Sequence, residues 1–352
     1  MYHLPSTALE TRTYIWVPIA LYLFDRLVRT ARLVWNNSRS GSTTVVPIDC
    51  EVTKIRVQGS RVRKWAPGSF VLLSMPHYGI AQSHPATIAS TPESHEGDLV
   101  FLLKARNGFT KNLLSSPGVS NTTLVAASEK GKAQSPGGSH RAFIDGPYGG
   151  MQGDFAAFDT VLLVAGSTGI TFVLSILLDL AARAGKQKLP LRHLELVWAV
   201  KRSQHLSWFS EELEAAFSSL QAAGIEASLR VFDTGNDGST DSADSSSRSG
   251  CSCNLSDGQA CYCADKATIT PRGDAHESAE IARNETKRQF AKVVPGRPIM
   301  SLIIPEVLLR AQGELGVAVC GPLGLSTAVR STVARSITAK QAIYLHVEGF
   351  GW

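Results

Sequence analysis

The stretch VAGSTGITF, Val164 to Phe172, runs an apolar strand into a glycine turn and then a helix start. That pattern suits a phosphate. Gly166 and Gly169 let backbone approach an anion, Ser167, Thr168 and Thr171 offer hydroxyl donors, and the N–H groups from Ile170 onward open the helix. The dehydrogenase pattern GxGxxG is absent, so this is not the standard dinucleotide fingerprint. A second candidate is KARNGFTKNLL, Lys104 to Leu114. A strand ends, Asn-Gly turns at Gly108, and Thr110 is placed to cap a helix whose first N–H groups form another anion site. Either turn also fits a simple capped turn without ligand.

Five more stretches add chemistry. DGPYGG, Asp145 to Gly150, carries Gly146, Pro147 and Gly149 as a tight turn shortly before an apolar strand. HPATIAS, His84 to Ser90, is a strand with a small hydroxyl at Thr87, following Pro85. Lys201 and Arg202 end a strand before a helix; a guanidinium at the carboxyl edge of a parallel sheet pairs bidentately with phosphate, although a solvated pair there is common. VCGPLGL ends a strand at Cys320 and turns at Gly321. We read Cys320 as a shape and contact residue, not a nucleophile; a buried core cysteine fits equally. CSCNLSDGQACYC sets Cys251, Cys253, Cys261 and Cys263 in two CxC pairs. These could hold Cu(I) or zinc, yet zinc usually takes CxxC, and reduced thiols without metal fit as well.

The elements that must position these residues fall into two kinds. From Thr43 to about Phe143, short strands such as Asp49 to Val57, Ser69 to Met75, Asp98 to Ala105 and His140 to Ile144 are broken by Gly, Pro and Ser. This predicts a small antiparallel barrel. After Gly150, continuous apolar strands (Thr160 to Ala165, His193 to Val200, Glu226 to Phe232, Leu315 to Cys320, Gln341 to Val347) alternate with helices. This predicts a parallel sheet covered on both faces. We expect an N-terminal segment over 1–36, the barrel over 43–150 and the α/β domain over 151–352. A Ser, Gly, Asp, Ala and Cys tract at about 234–280 reads as a disordered insertion.

Composition narrows the field. The 352 residues hold 35 Lys+Arg and 30 Asp+Glu, a net charge of +5, without the basic stripe of a nucleic-acid binder. Six cysteines are too sparse for a disulfide scaffold. Mean hydropathy is +0.01, and part of it lies in YIWVPIALYLF, Tyr14 to Phe24, followed by Arg26, Arg29 and Arg32. Charges after the apolar run argue against a signal peptide. They suit a helix leaving a bilayer toward the cytosol; the run also fits a buried soluble helix with a basic edge. With the catalytic part cytosolic, the sequons at Asn36, Asn121, Asn254 and Asn284 stay unglycosylated.

Taken in order, these motifs resemble the C-terminal FAD- and NADPH-binding half of fungal-type ferric reductases (metalloreductases), and less closely NADPH oxidases. The resemblance runs from about Thr13 to Trp352. It implies a ferredoxin reductase-like fold, with an antiparallel FAD barrel, a parallel-sheet NADP domain and one preceding membrane helix. It implies that the His84–Pro85–Thr87 strand holds FAD, with Thr87 at the flavin's reactive edge. Lys104, Gly108 and Thr110 would take the FAD pyrophosphate. Gly146, Pro147 and Gly149 resemble the first nicotinamide-nucleotide motif, and Gly166 to Thr171 the phosphate loop. Arg202 would bind the 2′-phosphate, and Cys320 with Gly321 would lie against the nicotinamide. Phe350, in HVEGFGW, would cover the flavin, with Trp352 as competitor. Ala86 departs from the pattern, where the family has an aromatic packed on the flavin.

The implied activity is hydride transfer from NADPH to FAD and electrons onward to haem or a ferric or cupric chelate, serving metal reduction and iron uptake. The implied location is the plasma membrane, with both cofactor domains cytosolic. The haem-binding helix bundle is missing and His3 alone cannot ligate haem, so haem is not expected in this chain and Met1 reads as a truncated start. The competing readings are a superoxide-producing NADPH oxidase and a non-catalytic remnant.

Overall fold

The computed structural model describes residues 9–38, 41–79, 82–115, 140–236, 291–337 and 342–349. Strand β1 (Thr43–Asp49) pairs with β2 (Val52–Val57), and β2 with β5 (Leu99–Lys104), as one antiparallel sheet. Strands β3 (Ser69–Ser74), β4 (His84–Thr87) and β6 (Phe143–Gly149) form a second, in the order β4-β3-β6. Strand alternation divides β3 between two faces. Val71 and Leu73 enter a core with Ile55, Phe101 and Ile144, while Phe70 and Leu72 stay half-buried on the opposite face. Each fully buried Val or Leu contributes about 1.5–3 kcal/mol.

The C-terminal half is a six-stranded parallel sheet in the order β10-β9-β8-β7-β11-β12. Its strands are β7 (Thr160–Gly166), β8 (His193–Val200), β9 (Glu226–Asp233), β10 (Ala291–Pro295), β11 (Leu315–Cys320) and β12 (Ile343–Glu348). All of β7 is buried, as its unbroken apolar run requires. Val161 and Leu163 face a core shared with α3 (Ile170–Ala184) and α4 (Ser210–Ala222). Leu162 and Val164 face α5 (Met300–Leu308) and α6 (Leu323–Ser336) on the other side. The strand order reverses between β7 and β11, the position where such sheets open a ligand crevice.

Several elements differ from the sequence expectation. Asp49 to Val57 is not one strand. The chain reverses at Cys50–Glu51, where Asp49 Oδ1 accepts the Cys50 N–H at 2.6 Å. The helix after β8 starts at Ser210, only after a 3-10 turn over Ser203–Trp208. Strand β10 and helix α5 were not foreseen: β10 buries little of its surface and α5 contains Pro305. The CxC pairs and most of the expected insertion lie outside the described residues.

Helix α1 (Leu9–Asn36) has 28 residues and a length of about 42 Å. Its first turns expose apolar side chains, among them Tyr14, Leu21 and Phe24. Its last turns grip β6. Arg29 pairs with Asp145 at 2.7 Å, Arg32 donates to the Pro147 carbonyl at 2.6 Å, and Asn36 donates to the Gly146 carbonyl at 2.8 Å. Among the described residues one segment is long and apolar enough to cross a bilayer, 167–184, and 67% of it is buried; it is a core helix of the sheet.

Barrel and sheet meet through close packing and part-buried charge. Gly68, at φ +77°, presses on the Phe172 ring, leaving no room for a Cβ, and its N–H donates to Ser175 Oγ at 2.7 Å. Glu212 of α4 pairs with Lys54 at 2.5 Å and with His95 at 3.3 Å. Burial alone would push the Glu212 carboxyl up; hydrogen bonding from His95 and the charge and hydrogen bond of Lys54 instead hold it down at about 2. A carboxyl depressed in the folded state stabilises fully above its ordinary value of 4.5 and loses that contribution as pH falls toward about 2. Glu212→Gln should therefore lower Tm near neutral pH by about 3–6 °C. In thermal unfolding followed by circular dichroism, its deficit against wild type should shrink as pH drops below 4.5. A deficit constant with pH would contradict the pairing.

Candidate functional site at the sheet switch point

Two turns meet where the strand order reverses. After β7 comes the turn Ser167–Gly169; after β11 comes Gly321–Pro322. A Cβ on Gly169 would sit 2.2 Å from the Cys320 carbonyl oxygen, and one on Gly166 2.6 Å from the Pro322 ring. Only glycine allows this contact. Ser167 adopts φ +52°, a conformation a non-glycine residue holds at a cost of about 1–3 kcal/mol. Trp198 of β8 donates its ring N–H to the Ser167 carbonyl at 3.0 Å and so braces the turn.

Helix α3 then starts at Ile170 without a side-chain cap. Thr171 donates its hydroxyl to the Thr168 carbonyl at 3.1 Å, whereas Ser167 and Thr168 stay half-exposed. An uncapped 15-residue helix behind a glycine turn, with two hydroxyls at its mouth, fits a dinucleotide pyrophosphate. Cys320 lies at the rim, 5% exposed. Burial, helped by Glu348, pushes its thiol up to about 12.

The barrel presents the second surface. Pairing sets Thr87 of β4, Phe70 of β3 and Tyr148 of β6 in one row, with Phe70 bonded in register to both neighbours. The Phe70 and Tyr148 rings lie 5.9 Å apart, and Arg32 of α1 covers Tyr148 at 5.1 Å. Pro85 and Thr87 are half-exposed on this face. Partly exposed aromatic and aliphatic groups beside a hydroxyl suit a planar aromatic cofactor such as flavin. Phe70 and Leu72 were missed in the sequence because their alternation reads as ordinary strand; the half-buried pattern of β3 is their only signal. Ala86 points the other way, 1% exposed in the barrel core. An aromatic group is therefore absent from the core at this position, not from the open face.

His84 and the Lys104–Leu114 turn come together: the rings of His84 and Phe109 lie 6.2 Å apart, and burial pushes the His84 imidazole down. The turn itself corrects one expectation. Gly108, at φ +57°, is the cap of α2 (Phe109–Leu114). Thr110 is buried inside the helix, where its hydroxyl accepts the Arg106 N–H at 3.0 Å and donates to the Asn107 carbonyl at 3.3 Å. Lys104 also has a protein partner, Glu51, at 2.8 Å.

Gly146, Pro147 and Gly149 lie on β6 under α1 rather than at the switch point. Arg202, just beyond β8, faces the β1–β2 turn of the barrel. Its Nη2 lies 3.9 Å from Asp49 Oδ2, and it hydrogen-bonds Cys50. His205, 4% exposed, stacks on Trp208 at 4.3 Å and brings Nε2 to 3.5 Å from Asp49. Phe350 and Trp352 lie outside the described residues. Among the described residues no cluster of three or more His, Cys, Asp or Glu could hold a metal.

Comparison with known proteins bears on both surfaces. Residues 158–334 match the ferric reductase NAD binding domain family, and residues 38–152 match an FAD-binding domain family. A probable cell surface ferric reductase, kap2, from Aspergillus oryzae is 33% identical over 213 residues, which is 57% of this chain and 26% of that protein. A probable ferric reductase transmembrane component from Candida albicans is 25% identical across 100% of this chain and 46% of its own length. NADPH oxidase 1 from Rattus norvegicus is 22% identical over 93% of this chain and 50% of its own. The chain thus spans half or less of these relatives. Among solved structures, flavohemoglobin from Malassezia yamatoensis with bound FAD and heme aligns at TM-score 0.51 and 14% identity, covering 96% of this chain and 67% of that one. A ferredoxin NADP+ reductase from Neisseria gonorrhoeae aligns at 0.50 and 11%, covering 88% and 98%. These two share the fold.

The thiol chemistry is directly checkable. In the folded protein treated with iodoacetamide at about pH 8, Cys320 should stay unlabelled while the half-exposed Cys50 reacts, as read by peptide mass mapping. Labelling of Cys320 as fast as Cys50 would contradict its burial and raised pKa.

Proposed function

The chain belongs to the ferric reductase family, with that family's NAD-binding domain and an FAD-binding domain, and from that premise we propose that it is a NADPH-dependent ferric- or cupric-chelate reductase flavoprotein. Its cofactors are FAD and NADPH. Bound together they supply hydride transfer from nicotinamide to flavin and single electrons onward to the metal chelate, which is the substrate. The protein's task is to bind, orient and exclude water.

The observation that carries this reading is the glycine-only contact between the Ser167–Gly169 and Gly321–Pro322 turns in front of the uncapped α3. We assign Gly166 to Thr171 to the NADPH pyrophosphate, with Ser167 and Thr168 as hydroxyl donors. Cys320 and Gly321 shape the nicotinamide side; a thiol raised to about 12 stays protonated near neutral pH and acts by contact. His84, Pro85 and Thr87 hold the flavin, with Phe70 and Tyr148 beside them. Gly108 and the α2 turn take the FAD phosphates, with Lys104 as their countercharge once it leaves Glu51. Gly146, Pro147 and Gly149 link the flavin face to α1. Arg202 takes the 2′-phosphate. Phe350 is assigned to the flavin's outer face. The barrel is taken as 43–150 and the nucleotide domain as 151–352.

We place the chain at a membrane, the plasma membrane, with both domains cytosolic. The exposed apolar side chains of α1 and the arginines after them support this, as do relatives described as cell surface and transmembrane ferric reductases.

The test is steady-state reduction of a ferric chelate by the FAD-loaded chain. Wild type should reduce the chelate with NADPH. Arg202→Ala should raise KM for NADPH by about tenfold or more while leaving KM for NADH nearly unchanged. No flavin retention, or superoxide formed in preference to reduced chelate, would overturn the assignment.

A further inference from the structure

Arg202 is already engaged by the barrel. The β1–β2 turn brings Asp49, Cys50 and Glu51 against the end of β8. Asp49 Oδ2 lies 3.9 Å from Arg202 Nη2 and 3.5 Å from His205 Nε2. Arg202 hydrogen-bonds Cys50, and Glu51 adds its charge to the same neighbourhood. Glu51 is itself tied to Lys104 at 2.8 Å and feels both Lys201 and Arg202. Two cations of the proposed phosphate sites, Lys104 and Arg202, and the neighbouring Lys201 therefore face two carboxylates on one turn.

The strengths of these contacts are unequal. Glu51–Lys104 is a close, hydrogen-bonded pair. At 3.9 Å the Asp49–Arg202 pair is an ion pair without a hydrogen bond, and such loose, partly exposed pairs are weak. A phosphate dianion offers twice the charge and a bidentate fit to the guanidinium. It can displace Asp49, whereas a ribose hydroxyl, uncharged, cannot.

We propose that Asp49 is a specificity-determining residue: it competes with the 2′-phosphate of NADPH for Arg202 and so holds down affinity for the phosphorylated dinucleotide alone. NADH binds without disturbing the pair. The β1–β2 turn thereby narrows the preference for NADPH over NADH and favours release of the phosphorylated product. The inference rests on the assignment of Arg202 to the 2′-phosphate.

The experiment is calorimetric titration of the full chain with adenosine 2′,5′-bisphosphate and, for comparison, adenosine 5′-monophosphate. Asp49→Asn keeps an oxygen to accept the Cys50 N–H and removes the charge. It should tighten the bisphosphate about threefold or more and leave the monophosphate unchanged. Asp49→Ser, which also keeps an acceptor, must give the same tightening, so poor folding of one variant does not end the test. In an Arg202→Ala background the tightening must vanish. Unchanged or weaker bisphosphate binding by both Asp49 variants overturns the inference, as does tightening that persists without Arg202. If Arg202→Ala alone leaves bisphosphate binding intact, the assignment of Arg202 falls and the inference with it. If Arg202→Ala weakens binding but the Asp49 variants do not tighten it, only the competition fails.

Discussion

Two backbone turns touch at the reversal of the parallel sheet, and no side chain fits between them. Gly166 and Gly169 lie within van der Waals contact of Cys320, Gly321 and Pro322, and a methyl group on either glycine would collide with backbone or a proline ring. The constraint propagates outward. It fixes the spacing of the ends of β7 and β11, which pair in register from Leu315–Thr160 to Cys320–Ala165. It also directs the start of α3, forces Ser167 into a positive φ and buries Cys320. Glycine backbone, rather than long flexible side chains, lines this contact, so little side-chain entropy is lost in organising it.

The same helix carries the joint to the barrel. Phe172 and Ser175, one turn below the Ser167–Gly169 turn, receive Gly68 of the barrel. Phe172 also stacks on His346 of β12, 5.4 Å between ring centroids. The loop, the barrel and the C-terminal strand are thus registered on one short stretch of α3. A second joint, at Lys54, His95 and Glu212, adds part-buried charge. A third sets α1 on β6 through Arg29, Arg32 and Asn36. The row of Thr87, Phe70 and Tyr148 runs outward from this third joint across β6, β3 and β4, with Arg32 of α1 covering Tyr148 at its near end.

Much of this was legible in the sequence because the local pattern was strong. Strands β8 and β11 were read with the bounds found, since parallel strands buried on both faces are unbroken apolar runs. Features set by partners far along the chain were not legible. Nothing near Arg202 announces Asp49, nothing near Lys104 announces its tie to Glu51 across the turn, and the open face made by Phe70 and Tyr148 exists only once β3 and β6 pair. Thr110 misled because a threonine after Asn-Gly has the composition of a cap; Gly108 takes that place by adopting a positive φ and Thr110 turns inward. Ala86 misled in the other direction, since a one-residue step on a strand decides which face a side chain joins.

If the two surfaces serve one reaction, electrons pass from the nucleotide to the flavin within this chain. The most direct measurement is an anaerobic titration of the FAD-loaded chain with NADPH, followed by its visible absorption spectrum. The bands of oxidised flavin should disappear with one equivalent of NADPH per flavin. A chain that retains FAD, binds NADPH and yet keeps its flavin oxidised would contradict it.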